Sequence, residues 1–196
     1  MSEFLQRTEV TSQPPFVCEI ELGMTTSMSM ADAAVTVLSL PRRFGEIVSG
    51  VSGDDDWDRL VRVPQASGRS ALGWTAHTTA LLTALGTLIS SLPLQARPSI
   101  DTESLNPPST QARLGAISHV LAELKSASSR AGEAISARSY DEVDRDCVLN
   151  GDTMRAYDAI NVVVTQCVTQ LANASDALEA AGAPTTNPDE TDDGDD

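Results

Sequence analysis

The chain has 196 residues with 28 acidic against 13 basic side chains, a net charge of −15 with both histidines neutral, and it is long enough for one domain whose core needs no disulfide or metal staple. That charge argues against nucleic acid and anionic membrane as partners, because both are polyanions that a binding face must neutralise with Lys and Arg. Cys18, Cys147 and Cys167 are odd in number, widely spaced and without a CxxC pattern, which predicts reduced thiols; with an acidic, proline-containing start unlike a secretory signal, a cytoplasmic protein is expected.

Residues 1–27 contain Pro14 and Pro15 and then FVCEIEL, whose imperfect alternation reads as a short extended arm. Residues 28–182 read as one helical domain. Its first helix spans Ser29 to Val51, with Val37, Leu38, Phe44, Ile47 and Val48 at helical spacing, and Pro41 is expected to kink or divide it. Residues 52–69 are rich in turn formers and charge and read as a loop. The run Asp54-Asp55-Asp56 within it lacks the spacing of a calcium loop and reads as a cap or a solvated cluster.

Ser70 is the expected N-cap of a second helix that ends near Leu92. Leu81, Leu85, Leu88 and Leu92 form its apolar stripe, and one step of four back from Leu81 lands on His77, which therefore faces inward. No charge occurs between Ala71 and Gln95, so a membrane span has to be weighed. The many hydroxyls, the histidine and the lack of a flanking basic cluster favour a buried bundle helix instead.

A proline-broken link, residues 92–109, precedes a third helix from Ser109 or Thr110 to Ser136 with an inner stripe of Leu114, Ile117, Leu121, Leu124 and Ile135. His119 falls off that stripe and is expected in solvent. A loop over residues 137–151 leads to Asp152, the expected cap of a fourth helix that stops at Gly182 and Pro184. Residues 183–196 hold six acids and no large apolar side chain, so a disordered tail is expected. Four long helices predict an all-α four-helix bundle.

The run Trp57-Asp58-Arg59, the segment GRSALGWTAH ending in His77, and the last-helix ending TQLANASDAL resemble the DinB-like superfamily, which includes the mycothiol-dependent maleylpyruvate isomerases. The resemblance covers roughly residues 30–181. It implies a four-helix bundle that in many members holds a divalent metal such as zinc or nickel on three histidines, one following a Trp-containing helix start and two in an HxxxH on the last helix. It also implies homodimers and a thiol-dependent transferase or isomerase activity. His77 matches the first ligand position. Placing Leu171 on the family leucine puts Thr165 and Thr169 at the other two and Gln170 at an adjacent histidine, so both last-helix ligands are replaced.

Neutral hydroxyls are poor ligands for zinc or nickel, which favour imidazole, thiolate and carboxylate. Nearby, Asp158, Asn161 and Cys167 lie in the wrong register to replace the missing pair. No metal is therefore expected, and His77 reads as a remaining family ligand inside a polar patch with Thr165, Thr169 and Gln170 as partners. GxSxG, Walker, GxGxxG and HExxH motifs are all absent. The functional expectation is a metal-independent module that binds a small ligand or partner at a cleft around Trp74, His77, Thr165, Thr169 and Gln170; the alternative is the metal-dependent thiol transferase or isomerase.

Overall fold

The computed structural model describes residues 27–49, 51, 54–64, 68–105 and 117–182; the predicted arm up to Thr26 and the acidic tail from Ala183 lie outside them. Four long helices carry the fold: α1 (Met30–Ser49), α3 (Ala71–Ser91), α4 (Ile117–Ser136) and α6 (Ala156–Gly182). Two short helices, α2 (Asp54–Val61) and α5 (Tyr140–Val143), and three short strands, β1 (Ser99–Ile100), β2 (Asp146–Leu149) and β3 (Asp152–Arg155), fill the connections. The long helices pack as a ring in the order α1, α4, α3, α6 and back to α1. The first two long helices of the chain, α1 and α3, thus stand across a diagonal, and so do the last two, α4 and α6.

The core lies inside that ring and takes in most of the predicted stripes; Leu38 of α1 is instead half exposed, and Leu114 lies outside the described residues. Leu81, Leu85, Leu88, Ile89 and Leu92 of the α3 segment meet Val37, Leu40 and Phe44 of α1, Leu124 and Ile135 of α4, and Ile160, Val163 and Val164 of α6, all buried. Burial of each large apolar side chain contributes about 1.5–3 kcal/mol relative to leaving it in water. Ser70 caps α3 as expected, its hydroxyl accepting from the Gly73 N–H at 3.1 Å. No helix among the described residues is long and apolar enough to cross a membrane.

Pro41 neither ends nor divides α1, which runs through it. Proline has no N–H, so the carbonyl four residues back, on Val37, loses its helical donor. The buried Ser128 of α4 supplies a replacement, its Oγ donating to Val37 O at 2.7 Å. A defect in one helix thus becomes a contact between two.

Three connections differ from expectation. The segment 52–69, read as a loop, contains α2. Its Trp57, Leu60 and Val61 share one face, and Leu60 is fully buried against Val48, Ala71, Leu72 and Val120. Local pattern was outweighed there by burial. Arg62, just past α2, donates to the Ala181 carbonyl at 3.4 Å, placing a cation at the C-terminus of α6, whose last turn has no basic residue of its own.

The second difference is the turn that follows α5. Asp152 does not cap the last helix, which starts at Ala156; residues 152–155 form β3, antiparallel to β2. Asn150 and Gly151, at φ 54° and 91°, make the two-residue turn between them, the conformation that Asn-Gly favours because both positions need positive φ. The third is β1, which pairs in parallel with β2 out of the proline-broken link. Arg145, beside β2, donates to the Leu92 carbonyl at 2.9 Å and ties this small sheet to the end of α3.

Cys147 and Cys167 are buried free thiols. Burial pushes their pKa up, to about 11 and about 12 respectively. The thiolate is the reactive form, so both are expected to resist a thiol reagent at pH 8 in the native protein and to react promptly in denaturant. Stoichiometric native labelling of either, mapped by peptide mass, contradicts this.

Candidate functional site

The cleft opens between α3 and α6 and is closed on one side by the residues that follow β1. Its volume is about 420 Å³, and its walls include His77, Thr102, Glu103, Thr165, Thr169 and Gln170. His77 comes from the second turn of α3, where Ser70 and the leucine stripe fix the rotation of the helix. Thr165 and Thr169 stand one turn apart on α6, exposed at the mouth, with Gln170 buried deeper.

Four of the five predicted site residues therefore share one cleft. The fifth, Trp74, is not on its wall but backs the histidine, with ring centroids 6.4 Å apart. The predicted partnership is different, however. Thr169 Oγ1 donates to the Thr165 carbonyl at 3.1 Å within its own helix, and the residue bonded to the imidazole is Arg69, whose Nη1 meets His77 Nδ1. The same guanidinium lies over the Trp74 ring at 5.0 Å, a cation–π arrangement.

Arginine donates only, so Nδ1 must accept, and a neutral imidazole that accepts at Nδ1 carries its proton on Nε2. Nε2 is buried and has no hydrogen-bond partner among the described residues. The Gln170 side chain and the Thr102 backbone approach the ring closely enough to favour its charged form, yet neither meets hydrogen-bond geometry to Nε2. Gln170 is itself weakly held: Thr78 Oγ1 has one proton to give, and it lies 3.0 Å from the Trp74 carbonyl but 3.5 Å from Gln170 Oε1. Thr102 is held firmly, its N–H and hydroxyl both donating to Asn150 Oδ1 at 2.7 and 3.0 Å. The Asn-Gly turn thus fixes the cleft's third wall.

Desolvation holds the His77 pKa below its ordinary value, and the Arg69 charge adds to the effect. A depressed histidine pKa means the folded state prefers the neutral ring while the unfolded chain takes up a proton near pH 6.5. Stability is thus fully present above that pH and falls as the pH drops through the window below it. Denaturant melts should show this loss as the pH is lowered below about 6.5, and His77→Gln should flatten it. Among the described residues, Glu103 is the other charged group on the cleft wall, and Arg69 meets the ring from its far side. An unchanged slope in the variant would assign the pH dependence to carboxylates.

The fit to a metal is poor. No three His, Cys, Asp or Glu side chains come together among the described residues. One imidazole nitrogen is taken by a guanidinium, which also repels a divalent cation, and Thr165 and Thr169 bring only hydroxyls. His119, the second histidine, is exposed on α4 beside Glu123.

Arg69, Thr102, Glu103, Gln166 and Asn173 belong to the site and were not anticipated. The Asn150-Gly151 dipeptide was the available signal for two of them, because the hairpin it nucleates is what carries residues 99–103 to the cleft.

No family model matches the chain, and no curated protein matches it. Among solved structures it is similar to YfiT from Bacillus subtilis, described as "a probable metal-dependent hydrolase with an unusual four-helix bundle topology", with TM-score 0.63 and 13% identity over 78% of this chain and 87% of that one. The likeness is one of fold. The chain has a four-helix bundle similar in topology to that structure. The diagonal placement of α1 and α3 belongs to that architecture as observed here, since an up-and-down bundle sets consecutive helices side by side.

Proposed function

We propose that this DinB-like bundle works without a metal ion, as a module that binds a small molecule in the His77 cleft. The observation that carries the reading is His77 Nε2: a buried N–H, its tautomer fixed by Arg69, with no partner among the described residues. A buried donor left unpaired costs about 1–3 kcal/mol, a cost that a bound acceptor removes. The alternative, a metal-dependent thiol transferase or isomerase, needs basic ligands at Thr165 and Thr169, and the hydroxyls there do not favour it.

A second groove, about 500 Å³, runs between α3 and α4 past Leu82, Gly86, Leu94 and Arg130. Although larger, it has its hydroxyls already engaged within α3, and the donor that remains on its wall is the Arg130 guanidinium. The hydroxyls of Thr83, Thr87, Ser90 and Ser91 each donate to the carbonyl four residues earlier at 2.7–2.9 Å.

A fragment library titrated into the 15N-labelled protein distinguishes the two. Hits should shift the amide signals of Thr102, Thr165, Thr169 and Gln170. Hits that cluster instead on Gly86, Thr87 and Ser90 would overturn the assignment.

A further inference from the structure

We infer that the ligand of the His77 cleft is a small carboxylate, one oxygen accepting from His77 Nε2–H while the Arg69 cation on the far side of the ring offsets its charge. This rests on the reading of the cleft as a ligand site and goes on to specify the chemistry. His77 is 9% exposed, so its donor is desolvated, and a hydrogen bond from a desolvated donor to an ionised acceptor is about twice as strong as one between neutral groups. Arg69 bonded to Nδ1 polarises the imidazole, strengthening Nε2–H as a donor along the same chain of groups.

The remaining lining narrows the class further. Glu103 is exposed at the rim; a dianion such as a phosphate monoester meets its charge as well as the chain's net −15, whereas a single carboxylate is opposed least. The Gln170 side chain lies beside the ring, and its hydrogen bond from Thr78, at 3.5 Å, opposes its turning aside only weakly. Leu81 supplies an apolar wall for the body of the acid, and Thr165 and Thr169 leave the mouth open to solvent.

The experiment is a titration of the full-length 15N-labelled chain at pH 7.5 and constant ionic strength with benzoate, benzamide and benzylamine in parallel. The observables are the His77 ring nitrogens and the amides of Thr102 and Gln170. Benzoate should move Nε2–H downfield and saturate, with the Nδ1 signal still that of an acceptor. Arg69→Gln should weaken benzoate by roughly tenfold, equivalent to about 1.4 kcal/mol, and leave benzamide nearly unchanged. His77→Phe should abolish the preference for the acid. Should that variant fail to fold, the wild-type ring signals still decide the matter. Benzamide or benzylamine binding as tightly as benzoate at these residues overturns the carboxylate class and leaves the cleft reading standing. Absence of shifts at the cleft with all three overturns both.

Discussion

Ser128→Ala is expected to destabilise the protein by about 1–3 kcal/mol, because it strands the buried Val37 carbonyl that Pro41 has already deprived of its helical donor. At this chain length that corresponds to a melting temperature lower by about 2–4 °C for each kcal/mol. The same substitution in a Pro41→Ala background should cost well under 1 kcal/mol, since an alanine in place of the proline provides the missing N–H and the serine hydroxyl becomes redundant. The double-mutant cycle therefore has a predicted coupling of about 1 kcal/mol or more. Equal costs in the two backgrounds would mean that the Ser128 hydroxyl contributes through some other group than Val37 O.

The second large effect is a metal site made by substitution. The purified wild-type chain, grown with zinc or nickel available, is expected to carry far less than one metal ion by elemental analysis, on the donor chemistry of the cleft. Thr165→His with Thr169→His sets two imidazoles one turn apart on the α6 wall, facing the free Nε2 edge of His77 across the same cleft. Three imidazoles suffice for zinc with an open position. At a metal concentration 100 times the Kd, preferential binding to the folded state adds about 2.7 kcal/mol, seen as a rise in melting temperature of about 5–11 °C. Stoichiometric metal in the wild type would revive the thiol-dependent enzyme reading. If the double variant gains nothing, Thr165 and Thr169 do not occupy the ligand positions assigned to them.

What the sequence disclosed and what it hid follow from the range of the interactions involved. The leucine stripe of α3, the Ser70 cap and the inward turn of His77 are consequences of spacing within one helix, and each is found as read. Thr165, Thr169 and Gln170, which the family resemblance singled out, line the same cleft as His77. Arg69 was hidden, because a lone cation in a turn before a helix has no periodicity, and only the fold reveals that it lies on the far nitrogen of the ring. The β1 residues are hidden for a stronger reason. Ser99 and Ile100 are extended because they pair with Val148 and Leu149, far along the chain, so nothing within residues 92–105 requires a strand. The Asn150-Gly151 turn, in contrast, was a local signal that the loop reading passed over.

The diagonal placement of α1 and α3 constrains how the chain reaches this structure. Neighbouring helices of an up-and-down bundle can zip together as hairpins while the rest of the chain is still being made, but α1 packs on α4 and α6, and its Val37–Ser128 bond spans 91 residues. The apolar face of α1 must wait, unpaired, until α4 has left the ribosome. Only α3 and α4 are both consecutive long helices and packed partners, so they are the natural first pair. Contacts of such long sequence separation slow folding relative to a simple bundle of equal length, and the waiting face is a target for chaperones or for misassembly. The His77 cleft, with Thr78 and Gln170 separated by 92 residues, is completed only when α6 packs on α3, so the site cannot form before the last long helix of the chain has docked.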